Sequence, residues 1–144
     1  MGLTPGGALP DTYAPMTWEQ VRDCARRGLE IGSHTVSHPI LAKLDPERAG
    51  IEIREGKNRL EAITEAPVTL FAYPNGKPGR DYGAEHVDMV KQLGFEAAVS
   101  TAWGVAHAAS DPFQLPRFTP WDRTPERFLL RLMRNTFRTA VERV

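Results

Sequence analysis

His34 and His38 stand four residues apart in the run Ile31-Gly32-Ser33-His34-Thr35-Val36-Ser37-His38-Pro39. Two imidazoles at that spacing reach one ion of the Zn²⁺ class if the backbone turns after His34. Gly, Ser, Thr and Pro around them are poor core material and good ligand-positioning material, so a metal site stands against the simpler reading of two surface loop histidines. No Asp-Asp pair precedes them, and the carboxylate half of such a site has no counterpart in the sequence.

A second candidate follows in Phe71-Ala72-Tyr73-Pro74-Asn75-Gly76. It is either an ordinary turn after a buried strand or a device that aims the Asn75 backbone N–H at a developing oxyanion. Trp103 and Trp121 either line a sugar groove or pack inside. His86 falls in an expected helix and His107 in a loop; neither has a recognisable partner, and both read as structural.

The elements that must position these groups are legible from their punctuation. Thr17 with Gln20 forms a capping box that starts a helix, stapled by Met16 and Val21 and ended by Gly28. Leu29-Glu30-Ile31 then reads as a short strand running into the histidine loop. Asp45-Pro46 starts a second helix, with Ala49, Ile53, Leu60 and Ile63 on its apolar face and Gly56 weakening it, to about Thr64. Val68 to Ala72 is a strand ended by Pro74-Asn75-Gly76, Ala84 to Leu93 a helix stopped by Gly94, and Phe95 to Val99 the next strand. After a loop with Trp103 and His107 comes Phe113 to Phe118, then a helix capped at Thr124-Pro125-Glu126 and running through Phe137. The alternation predicts βαβ units and a parallel sheet, with functional loops at the carboxyl ends of its strands.

Composition bounds the function. The 144 residues fit one domain, and 18 basic against 18 acidic side chains give no electrostatic argument for nucleic acid or an anionic membrane. The late arginines Arg117, Arg123, Arg127, Arg131, Arg134, Arg138 and Arg143 read as a solvated helix face. A single cysteine, Cys24, excludes an internal disulfide and a Cys-rich zinc site. No apolar run spans a membrane, and the Gly/Pro-rich opening lacks signal-peptide character, so a cytoplasmic location is the default expectation.

In this order the motifs resemble the polysaccharide deacetylase family, with its NodB homology domain of the carbohydrate esterase family four type. Gly28 to Pro39 is similar to its H-[ST]-x-x-H motif and Phe71 to Gly76 to its F-x-x-P-x-G motif; Leu93 to Val99 and Leu115-Pro116-Arg117-Phe118 resemble later strands. The resemblance implies an α/β fold, a partial, distorted βα barrel missing its first βα units. Residues 16–138 would be that partial domain, between a loop at 1–15 and a tail at 139–144. It implies hydrolysis of N- or O-linked acetyl groups on a polysaccharide or acetylated oligosaccharide. One divalent metal, zinc or else cobalt, nickel or manganese, would be held weakly by His34 and His38. Asn75 would supply the oxyanion donor, and Tyr73, Pro74, Trp103 and Trp121 would meet substrate.

Three departures accompany the resemblance. The T-F-D-D-G motif with the catalytic base and metal-binding aspartates is absent, and Asp11 matches nothing. Ala72 replaces a frequent arginine. Arg117 stands where the late L-x-H histidine would be the general acid. Asp45 and Asp81 are the first substitutes to examine for the base. The other readings are a non-catalytic module that binds carbohydrate or a partner, and the inactive product of a truncated gene. A barrel without its opening strands is also expected to self-associate through exposed edges.

Overall fold

In the computed structural model, which describes residues 14–117, 121–137 and 141–144, the helices begin where the sequence places start chemistry. Thr17 caps α1 (Trp18–Arg26), its hydroxyl accepting the Gln20 N–H while the Gln20 side chain accepts the Thr17 N–H at 2.8 Å. Asp45 caps α2 (Pro46–Thr64) by accepting the Arg48 N–H at 2.9 Å, and Pro46 occupies the turn where an N–H has no helical partner anyway. Between α2 and α3 (Ala84–Gln92) lies β1 (Leu70–Ala72); β2 (Ala97–Val99) follows, then α4 (Pro125–Thr136) behind a Thr124 cap. None of the described helices is long and apolar enough to cross a membrane.

The strands are shorter than their hydrophobic runs, because pairing rather than composition ends them. β1 and β2 run parallel, with Leu70 opposite Ala97 and Ala72 opposite Val99, and α3 makes the crossover. The strand expected at Leu29 to Ile31 does not form. Leu29 is exposed, and pairing starts only at Ser33, whose N–H donates to Leu70 O at 2.8 Å and whose carbonyl accepts the Ala72 N–H at 2.9 Å. On the far side Leu115 alone bridges Val99 in parallel. Before it stands a single 3₁₀ turn, Pro112–Gln114, formed because the Asp111 side chain captures the Phe113 N–H at 2.9 Å and Pro112 has no N–H for a ladder. Phe118 lies outside the described residues.

Across the sheet the order is thus Ser33, β1, β2, Leu115, all parallel and all in chain order. Consecutive strands of a βα barrel sit this way, whereas the order of a doubly wound sheet reverses at a switch point. The fold is a partial, distorted βα barrel. Its core lies between the sheet, α2 and α3: Phe71 meets Tyr73 edge-on and Phe95 obliquely, both with ring centroids 5.2 Å apart. Ala49 and Ile53 close it from α2, Val87 and Val90 from α3.

Gly56 proves to be more than a weak point in α2. It is buried against the histidine loop, and a Cβ there would lie 3.0 Å from Ser33 Oγ and from the carbonyl carbon and oxygen of Thr35. Gly50, two turns earlier, would meet nothing within 4 Å. The two glycines separate helix propensity from packing. Gly50→Ala should raise the urea midpoint, worth up to about 1 kcal/mol. Gly56→Ala gains the same helix term but drives a methyl against backbone, an overpacking cost of about 1–3 kcal/mol, so its midpoint should fall. A rise in both would show that the loop does not rest on this helix.

Candidate active site

The pairing of Ser33 with β1 puts His34 beside Ala72, and the His34 Nδ1 lies 2.6 Å from the Ala72 carbonyl oxygen. A carbonyl only accepts, so Nδ1 carries the proton and Nε2 keeps its lone pair. The chain then turns through Thr35 and His38, both in the left-handed region at φ 65° and 58°, which is uncommon outside glycine. The Thr35 hydroxyl holds this turn, donating to His34 O at 2.5 Å and accepting the His38 N–H at 3.1 Å. As a result the two imidazoles meet, ring centroids 4.7 Å apart and planes at 75°.

Glu52 fastens the loop from α2. Its carboxylate accepts the N–H groups of Val36 and Ser37 at 2.9 Å each and the Ser37 hydroxyl at 2.7 Å. Partial burial works to raise its pKa, but the bonds from Ser37 and Val36 and the charge of Arg59 outweigh that and hold it below the usual carboxylate range. At His34 burial is the largest influence and lowers the pKa; the Ala72 carbonyl opposes it, and the charges of His38 and Arg117 add to the lowering. His34 is therefore held neutral more firmly than a free imidazole.

The Asn75 turn leaves the sheet at the same end, three residues past Ala72. Asn75 is exposed at φ 57°, its carbonyl accepting the Thr101 hydroxyl at 2.7 Å, while Thr101 N–H donates to Gly76 O at 2.8 Å. A Cβ on Gly76 would stand 2.9 Å from Tyr73 O, so the turn requires glycine. Among the described residues no acceptor takes the Asn75 N–H.

Tyr73 and Pro74, expected to meet substrate, are both fully buried. The Tyr73 ring lies flat on Tyr82, centroids 3.8 Å apart, and its hydroxyl donates to Phe113 O at 3.1 Å. Burial pushes both phenols up, Tyr82 to about 12. Trp121 is exposed, and Trp103 forms one wall of a cleft against α4 instead of joining the histidines. His86 is buried and accepts the Gly83 N–H at 3.0 Å; His107 accepts the Ala109 N–H at 3.3 Å, so both serve local structure. Asp45 is committed to the α2 cap, and buried Asp81 accepts the Lys77 N–H at 2.9 Å and Arg80 Nε at 3.1 Å. Glu52, Gly56 and Thr101 hold the site and carried no motif. The signal for the first two was their spacing, one helical turn apart on α2.

Known proteins resemble this chain in sequence and fold. A family model described as polysaccharide deacetylase matches residues 7–98. YxkH of Bacillus subtilis (strain 168), a candidate polysaccharide deacetylase by name, is 28% identical over 102 residues, covering 71% of this chain and 35% of its own length. The Streptococcus pyogenes deacetylase PplD, solved in complex with acetate, superposes with a TM-score of 0.72 at 24% identity over 88% of this chain and 53% of that one. IcaB from Ammonifex degensii gives 0.68 at 19% identity over 85% and 54%. The chain spans about a third of YxkH and about half of each solved chain. With a family model covering more than half of its residues, the chain belongs to the polysaccharide deacetylase family.

Proposed function

We propose that this chain supplies the histidine and oxyanion half of a metal-dependent site that hydrolyses N- or O-linked acetyl groups on a polysaccharide. The observation that carries the reading is the pair of imidazoles at 4.7 Å, with His34 Nδ1 spent on a backbone carbonyl. Metal-ligating histidines commonly fix their tautomer by such a bond. The donor set fits a divalent ion, zinc before cobalt, nickel or manganese, held by His34 Nε2 and by His38. Among the described residues no third His, Cys, Asp or Glu joins them, so a completing carboxylate would come from elsewhere. When bound, such an ion polarises the acetyl carbonyl and acidifies a water.

The chain's own groups have distinct tasks in this reading. Asn75 N–H, left without an acceptor beside the histidines' end of the sheet, is aimed at the oxyanion that develops on the acetyl oxygen. Arg117 follows the Leu115 bridge at that same end; its guanidinium stabilises negative charge there but cannot hand a proton to the leaving group. Removal of a proton from water falls to a base outside the described residues, since Asp45 and Asp81 are committed. The edges at Ser33 and Leu115, which pair with no further strand among the described residues, support self-association of the isolated chain.

Metal titration tests the ligands. Zn²⁺ should bind weakly to the chain and not at all to the His34→Ala, His38→Ala double variant. Glu52→Ala, which frees the loop without touching a ligand, should weaken binding about 10–100-fold. Unchanged affinity in the double variant would place the metal elsewhere.

Protonation offers a second check. With its folded pKa below 6.5, His34 takes up a proton more readily in the unfolded chain. Stability is therefore undiminished above that value and falls as the pH drops from 6.5 through the lowered folded value. The His34 ring should titrate below 6.5 by NMR, and Arg117→Ala should move the midpoint up. A midpoint at or above the free value would mean that the ring is not desolvated.

Activity distinguishes the half-site from a complete one. The chain alone should release acetate from acetylated oligosaccharides about 10²–10⁴-fold more slowly than a fusion to a segment bearing T-F-D-D-G, the range typical of general-base loss. Acetate release by the fusion should vanish with chelator and with His34→Ala. Chelator-sensitive turnover by the chain alone at the rate of the fusion would refute the missing base.

A further inference from the structure

Away from the histidines, the loop after β2 and the last helix enclose a cleft of about 620 Å³ that none of the site chemistry uses. Its size lies in the range of small-molecule pockets. Two contacts hold its walls together: Asn135 Nδ2 donates to Gly104 O at 2.8 Å, and the Arg131 guanidinium stands 5.6 Å from the centre of the Trp103 ring. Arg131 is in turn paired with Asp122, Nε to Oδ2 at 2.6 Å and Nη2 to Oδ1 at 2.8 Å, so these two charges cancel.

What remains in the wall is a pair of arginines, Arg127 and Arg134, beside the exposed apolar side chains of Leu130 and Phe137. Arg127 and Arg134, two turns apart on α4, have no carboxylate partner among the described residues, which leaves two uncompensated positive charges facing the cleft. Asn135 is buried, and while one Nδ2 hydrogen goes to Gly104 O, its Oδ1 has no partner among the described residues. That oxygen is an acceptor waiting for a donor, which an apolar or purely anionic ligand lacks and a hydroxyl supplies. Trp103, 45% exposed, offers indole surface of the kind that covers the apolar face of a pyranose.

The cleft is also tied to the proposed active site. Thr101, two residues before Trp103, makes both hydrogen bonds that fasten the Asn75 turn.

We propose that the cleft between the Trp103–Gly104 loop and α4 is a subsite for an anionic sugar unit, a pyranose bearing carboxylate or phosphate, so that the polymer this chain serves is acidic. The identification of that polymer as the deacetylase substrate rests on the function proposed above; binding in the cleft does not.

The test uses the 144-residue chain and calorimetry, with tryptophan fluorescence as a second readout. The probes are a tetrasaccharide alternating glucuronate with N-acetylglucosamine, a neutral N-acetylglucosamine tetrasaccharide, the latter carrying a 6-phosphate, and inorganic phosphate alone. At least one acidic oligosaccharide should bind tenfold or more tightly than the neutral one, and which does so separates carboxylate from phosphate. Arg127→Ala with Arg134→Ala should reduce that binding to the neutral level, while Arg127→Lys with Arg134→Lys retains part of it in a helix of unchanged fold. The His34→Ala, His38→Ala variant should bind as before. Equal affinity for neutral and acidic sugars, or inorganic phosphate binding as tightly as either acidic sugar, would overturn the proposal. So would binding that is lost with the histidines instead of the arginines. Acidic-sugar binding without acetate release from any fusion would leave the cleft standing and refute only the deacetylase reading.

Discussion

Two backbone hydrogen bonds, Ser33 N–H to Leu70 O and Ala72 N–H to Ser33 O, set the position of both histidines. They hold a single residue of sheet, and everything after it in the loop is built outward from that pairing. Because Ser33 lies in register with Phe71, His34 comes level with Ala72 and finds its carbonyl. A slip of one residue would reverse the side to which each side chain points. A pairing this short has little strength of its own, and α2 supplies the rest: Gly56 lets the loop come down onto the helix, and Glu52 ties the far side of the turn with three hydrogen bonds to a charged acceptor. The helix is thus as much a part of the site as the histidines it never touches in sequence.

Local features of this architecture were readable from the residues, and features made by partners were not. The caps at Thr17, Asp45 and Thr124 depend on a side chain and an N–H three residues on, so spacing sufficed. The βαβ unit followed from the alternation of patterns. Leu29 to Ile31 has the composition of a strand but no neighbour, and pairing is a property of two segments. The burial of Tyr73 was hidden for a different reason. Its motif suggests a surface, yet Phe71 and Tyr73 are two apart on extended chain and so share one face; the face that buries Phe71 buries Tyr73 as well. Glu52 was one acid among several on α2, and only the descent of the histidine loop distinguishes it.

The electrostatics around His34 favour one state of the ring. Burial, His38 and Arg117 all disfavour the imidazolium, and the Ala72 carbonyl alone supports it. A neutral ring with its Nδ1 proton fixed presents a lone pair at Nε2, the form in which histidine binds a metal and the form in which it cannot serve as an acid. The same surroundings therefore argue against His34 as a proton donor and for it as a ligand. Arg117 sharpens the distinction: where relatives by motif would place a histidine able to give up a proton, this chain places a charge that never leaves. In the proposed reaction it contributes attraction without proton transfer, which puts a larger share of transition-state stabilisation on the Asn75 N–H and on whatever completes the metal site.

Charge on the other side of the Trp103 loop follows a similar economy. Arg131 is neutralised by Asp122 and spends its planar face near the indole, a structural use of a cation; Arg127 and Arg134 are left to line the cleft. Near overall neutrality of the chain, 18 basic against 18 acidic residues, this local excess is a matter of placement and not of composition. That is why the late arginines read as a solvated face in sequence: their spacing fits a helix surface, and only the approach of Trp103 turns part of that surface into a wall. Thr101 ties the start of that loop to the Asn75 turn through two hydrogen bonds, so the cleft wall and the turn share one anchor.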